Sequence, residues 1–304
     1  MSWGPIVVGV DASSEAAGAA AVGERLARLA SVPCRLIHAV RDAWAPLIAV
    51  SGDPQVVEMQ QLQLAVARQR VNDALAGMVS SQVLQSLDVT FGPAPVVLQE
   101  VMRERRPGLV VLGGKHHSAL ERWLGGSTSL HVVRSAEVPV LITAGAPAAF
   151  RRILVAADVS KAAGPTLGLA ERFARLVGAQ LRVLTVFEPL PDLTGVPTPD
   201  PTVYYALAQE SLERDIWPLV KSAAVEKLVR HGSVVDTLLR EATDWKADVL
   251  VVGSHGKGWA QRVLLGSVTE QLINHLPTSL LVAPVGVAAQ AIRKRERRLS
   301  ATHA

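Results

Sequence analysis

The chain has 304 residues, 49% of them hydrophobic, with a mean hydropathy of +0.27; it is too long for one ordinary core and too apolar for a disordered chain, so two domains of roughly 150 residues are expected. The net charge of +4 is matched by residues 293–298 alone, five basic and one acidic, and the neutral remainder argues against an extended basic face for a nucleic-acid backbone. No apolar run approaches the ~20 residues of a membrane-spanning helix and no basic region leads into a signal-type stretch, which predicts a cytoplasmic protein, while the single cysteine, Cys34, excludes an internal disulfide and a thiolate zinc framework.

Short apolar runs alternate with longer stretches of helical composition, the pattern of βαβ units around a parallel sheet. Strands are predicted near 5–10, 33–39, 86–91, 108–113 and 138–143, and again near 152–157, 180–186, 225–231, 248–253 and 279–283, with helices in the gaps. A helix near 13–30 is capped by Ser13 and Ser14 and turns Val22, Leu26 and Leu29 toward the sheet. Cys34 packs in the second strand, and His38 and His131 read as partly buried, hydrogen-bonded side chains. The connections at 41–56 and 187–203 are rich in Pro, Gly and Asp and long enough to serve as lids or partner contacts. Gly92 and Gly232 turn the chain into a helix, and Trp217-Pro218 bends or ends one.

The sequence repeats itself. Glu24-Arg25-Leu26-Ala27-Arg28-Leu29 recurs as Glu171-Arg172-Phe173-Ala174-Arg175-Leu176 at an offset of 147, which also carries Asp11 onto Asp158 and Ser13 onto Ser160. Further on the offset is 140 and aligns Gly92 with Gly232, Gly113 with Gly253, and Gly126-Ser127 with Gly266-Ser267. The reading is a domain over 1–146, a second over 147–290, and a basic, disordered tail over 291–304. Each domain is expected to be a doubly wound five-stranded parallel α/β sheet in the Rossmann-like order 3-2-1-4-5, whose fifth strand pairs with an equivalent edge. In that order strands one and four end side by side, bringing an acid and a glycine-rich loop to one crevice.

In the second copy that loop reads Gly253-Ser254-His255-Gly256, nine residues, then Gly266-Ser267-Val268 entering a helix. The glycines allow close backbone approach, and a helix amino terminus offers amide donors to an anion. It is neither a Walker A loop nor a Gly-x-Gly-x-x-Gly turn. No acid is placed to orient His255 beside Ser254 for nucleophilic catalysis. An Asp after strand one, Gly-x-x-Gly, nine residues and Gly-Ser together resemble the universal stress protein family, and the duplication resembles its tandem members. The resemblance implies binding of ATP, with or without Mg²⁺, rather than catalysis. It places Asp158 near ribose or adenine, the Val186 backbone at adenine, and Gly253, Gly256, Gly266, Ser267 and Val268 at ribose and phosphates. It also implies an intramolecular pseudo-dimer that dimerises again.

The first copy keeps Asp11, Ala39, Gly113, Gly126, Ser127 and Thr128 but has His116 where the family has its second glycine. A ring there crowds the phosphates, so weaker or no ATP binding is expected; the opposite case has Lys115, His116 and His117 supplying donors to a phosphate. Three readings stay open: an ATP-dependent stress or signalling regulator, a dimeric scaffold without nucleotide, and a slow Mg²⁺-dependent ATPase.

Overall fold

The computed structural model describes residues 3–42, 54–114, 128–160, 162–189, 200–221, 224–254, 265–276 and 278–284. The chain divides into two compact units, Met1–Ala148 and Ala149–Ala304. The first contains β1 (Ile6–Gly9), α1 (Ser14–Ala30), β2 (Cys34–Val40), α2 (Pro54–Leu75), α3 (Ser81–Gln85), β3 (Asp88–Phe91), α4 (Ala94–Arg105), β4 (Leu109–Gly114), α5 (Thr128–Ser135) and β5 (Val140–Ala144). The second contains β6 (Arg152–Ala156), α6 (Ala163–Val177), β7 (Gln180–Phe187), α7 (Pro201–Ser211), β8 (Glu226–His231), α8 (Val234–Asp244), β9 (Val249–Gly253), α9 (Ser267–His275) and β10 (Ser279–Ala283).

Every strand pair within a unit is parallel, in the order β3-β2-β1-β4-β5 in the first and β8-β7-β6-β9-β10 in the second. Parallel neighbours need crossovers, and the crossover helices cover both sheet faces, so the central strands are apolar throughout. Ile6, Leu36, Leu109 and Leu141, and likewise Ile153, Leu154, Leu250 and Leu280, have no exposed surface. Each contributes about 1.5–3 kcal/mol of burial. Among the described residues no helix is long and apolar enough to cross a membrane.

Ser13 caps α1, its hydroxyl accepting the Ala16 N–H at 3.2 Å. Val22 and Leu26 face the sheet as expected, but Leu29 is 53% exposed. The 17-residue α1 is about 25 Å long and the four-residue β1 about 13 Å, so the last turn of the helix overhangs the strand it packs on. The repeated hexapeptide has a structural part in each unit. Glu24 Oε2 accepts the Ser80 N–H at 3.1 Å, and Glu171 Oε1 accepts the Lys221 N–H at 2.8 Å, tying the first helix of each unit to the approach to its third strand. Arg25 also donates to the Pro147 carbonyl at 2.7 Å.

Gly92 and Gly232 sit at φ +140° and +137°, donating to the carbonyls of Val40 and Phe187, a backbone shape that favours glycine. At Trp217-Pro218 α7 has already given way to a π-turn over Leu212–Ile216 and a 3₁₀ turn over Trp217–Leu219. His131 is exposed on α5, because its neighbours Leu130 and Val133 take the buried face. Most of the two long connections and the whole of the basic tail lie outside the described residues.

Cys34 begins β2, and burial, helped by the charge of Glu24, pushes its thiol from the ordinary 9.0 up to about 12. A thiol held protonated is a poor nucleophile. At pH 8 Cys34 should react with maleimide at least about tenfold more slowly in the folded protein than after denaturation; equal rates would contradict this placement. Because the unfolded thiol ionises from about pH 9 while the native one keeps its proton to about 12, its contribution to stability is lost as pH rises across that window.

Candidate functional site

In a doubly wound sheet the crevice opens where neighbouring strands send their connections to opposite faces. In the first unit that is the β1–β4 pair, with Gly9 level with Leu112. A cavity of about 440 Å³ lies there, in the size range of small-molecule sites. Asp11, Ala39, Gly113 and Thr128, scattered over the sequence, all line it. His116, Gly126 and Ser127 lie outside the described residues.

Asp11 is held by a tight turn: its Oδ1 accepts both the Ser13 N–H, at 2.9 Å, and the Ser13 hydroxyl. Since Ser13 also caps α1, the acid is fixed to the helix amino terminus. Two residues not anticipated as site residues complete the wall. His38 donates from Nδ1 to the Val10 carbonyl at 2.8 Å, and Glu15 lines the cavity from the first turn of α1. The repeat gives no signal for either, since the offset of 147 pairs His38 with Thr185 and Glu15 with Ala162, residues of a different kind.

Gly113 has a packing reason to be glycine. A Cβ there would lie 2.6 Å from the carbonyl carbon and oxygen of Glu15 and 2.9 Å from the Ala16 nitrogen. The close approach of β4 to the start of α1 requires the missing side chain whether or not a ligand binds.

The second unit repeats the construction. Asp158 Oδ1 accepts the Ser160 N–H at 3.2 Å and its hydroxyl at 2.6 Å. Thr185, 1% exposed, donates to the Ala157 carbonyl at 2.8 Å, the bond that His38 makes in the first unit. Val186 comes next on β7, and β6 pairs with β9 so that Asp158 and Gly253 sit at the ends of neighbouring strands. Gly256 lies outside the described residues, but both ends of its loop are fixed. The Ser254 backbone donates to the Ala283 carbonyl at 2.8 Å and accepts the Gly266 N–H at 2.9 Å, while the Thr269 hydroxyl donates to the Gly253 carbonyl at 2.7 Å. The first turn of α9 is thus fastened to the end of β9.

That geometry corrects one expectation. The Gly266 N–H is committed to Ser254 and is no anion donor; its place is the N-cap of α9, where no side chain caps the helix. The donors left are the Ser267 and Val268 amides at the positive end of the helix, with the Ser267 hydroxyl. Chemically a helix amino terminus of this kind can hold an anion, and Asp158 is fixed beyond the end of the strand next to β9. Among the described residues no group of three or more His, Cys, Asp or Glu could hold a metal ion.

Fold and crevice define a tandem, doubly wound α/β protein with a cavity over the strand ends of the first unit and the same strand pairing in the second. The sequence model of the universal stress protein family matches residues 2–144 and again 149–284, and the chain belongs to that family. A universal stress protein of Mycolicibacterium smegmatis is 27% identical over 289 residues, covering 91% of this chain and 96% of its own length. One from Mycobacterium tuberculosis is 27% identical over 295 residues, covering 91% and 95%. Among solved structures, a universal stress protein from Archaeoglobus fulgidus superposes with a TM-score of 0.62 at 17% identity, covering 92% of this chain and 98% of that one.

Replacing Gly113 by Ala should lower stability by about 2–4 kcal/mol in ligand-free protein, measured by urea unfolding, because the new methyl meets backbone rather than a flexible side chain. A change under about 0.5 kcal/mol would return Gly113 to a ligand-only role.

Proposed function

We propose that the second unit binds ATP and that its occupancy biases the conformation or partners of a cytoplasmic, homodimeric stress-response regulator. The observation that carries this reading is the amino terminus of α9, with no capping side chain, fastened to the end of β9 beside the strand that leads into Asp158. In this reading the Ser267 and Val268 amides and the Ser267 hydroxyl hold phosphate oxygens. Gly253 and Gly256 let the backbone approach them, Asp158 meets the ribose or adenine, and the Val186 backbone meets the base. Mg²⁺ would enter as the counter-ion of the nucleotide. The family membership supports the assignment, and so does the first unit, where the equivalent positions of Asp158, Val186, Gly253 and Val268 line one cavity.

The first unit is proposed to bind ATP weakly or not at all. Glu15 brings a second carboxylate to its cavity where the second unit has Ala162, and like charge opposes a polyphosphate. Its Gly113 is explained by packing alone, which favours a scaffold reading for this half. Binding without turnover is the proposal, with slow Mg²⁺-dependent hydrolysis as the alternative that the measurement below separates from it.

The test is thermal melting with and without millimolar ATP and Mg²⁺. A ligand of the folded state at a hundredfold excess over its dissociation constant adds about 2.7 kcal/mol. The stabilisation should appear in the parent and in Gly126→Glu and vanish in Gly256→Glu and Asp158→Ala, each checked for native folding. No stabilisation in the parent, with no nucleotide released on denaturation, would overturn the reading. ADP accumulating in proportion to protein, and lost in Asp158→Ala, would replace binding by turnover.

A further inference from the structure

A second cleft in the first unit, of about 610 Å³, lies between the end of β2 and the helix α2 and adjoins the cavity that holds Asp11, with which it shares His38 and Ala39. Its helix wall is formed by Met59, Leu62 and Val66, which are 49%, 56% and 42% exposed. These residues and Arg70 fall at i, i+3, i+7 and i+11, on one face of α2, a track of about 16 Å that is apolar along its length and cationic at one end. Arg41, at the end of β2, adds a second cation to the lining. Among the described residues neither guanidinium has a hydrogen bond or ion pair, and no carboxylate lines the cleft. Gln63 donates to the Arg41 carbonyl at 2.8 Å, which holds the strand end against the helix and fixes the width of the cleft.

The second unit has replaced these features. At the offset of 147, Val40 becomes Phe187 and Arg41 becomes Glu188. Phe187 is 3% exposed and lies 5.9 Å from the His231 ring and 6.4 Å from Tyr205, whose rings are 4.3 Å apart. Where the first unit leaves an apolar track with cations, the second stacks rings and carries an acid.

We propose that this cleft of the first unit binds a medium-chain aliphatic carboxylate, its chain along Met59, Leu62 and Val66 and its head group at Arg70. Aliphatic exposure with uncompensated guanidinium groups complements that chemistry: the chain removes apolar surface from water, and a carboxylate accepts charge-assisted hydrogen bonds. Concavity favours a monomeric amphiphile over a membrane surface, which calls for a convex apolar face.

The probe is dodecanoate, titrated calorimetrically below its micelle concentration and without nucleotide, so that failure here is separate from failure of the ATP reading. One dodecanoate should bind per chain. Arg70→Ala and Leu62→Gln, both at exposed positions that folding tolerates, should each weaken it by about tenfold or more, and butyrate and dodecylamine should bind far more weakly. Absence of saturable binding, equal binding of butyrate or dodecylamine, or an affinity unchanged in Arg70→Ala would overturn the proposal. So would association with phosphatidylcholine vesicles in the absence of dodecanoate binding.

Discussion

The pairing of each unit's first strand with its fourth is the constraint on which the site depends. β1 lies against β4 and β6 against β9, both parallel, with the second strand on the far side of the first. The connections leaving such a pair must diverge, and a crevice is left over their carboxyl ends. The chemistry of the site then rests on the residues at those carboxyl ends: an Asp turned back by a Ser two residues on, and a loop returning to a helix amino terminus. The close packing of α1 on β4 has its own cost in sequence. Gly113 lies so close to Glu15 and Ala16 that a side chain has no room, so one glycine of the motif is fixed by packing before any ligand is considered.

Duplication let the two units diverge around the same frame. The turn that holds the acid is kept in both, and so is a side-chain donor from the second strand to the carbonyl before the acid, supplied by His38 in one unit and Thr185 in the other. Charge is not kept. The first unit gains Glu15 and Arg41 where the second has Ala162 and Glu188, which moves negative charge toward the strand-end cavity and positive charge to the neighbouring cleft. On the readings proposed above, the two halves would take different ligands, the second a polyphosphate and the first an amphiphilic anion.

Strand positions were legible in the sequence because a parallel strand buried on both faces is a continuous apolar run, such as Leu109-Val110-Val111-Leu112, and a run so short and so rich in β-branched residues suits a buried strand better than a helix; the sheet order was expected only as the common order of doubly wound sheets. The gathering of Asp11, Ala39, Gly113 and Thr128 was legible because strand order converts distant strand ends into neighbours. Side-chain and amide commitments were not. Spacing gives Gly266 a free amide, and only the fold reveals that Ser254 has taken it. Periodicity turns Leu29 inward, since it sees the face of a helix but not where the sheet beneath it ends. The role of Glu24 and Glu171, which bind backbone amides far along the chain, needed the three-dimensional return of that chain to α1 and α6.

The central claim is that the two units, alike in fold, differ in what they hold, with nucleotide confined to the second. Equilibrium dialysis of radiolabelled ATP against the native protein measures this directly as a stoichiometry. One nucleotide bound per chain, retained in Gly126→Glu and lost in Gly256→Glu, is the predicted result. Two equivalent sites per chain, or one that disappears with Gly126→Glu, would contradict it.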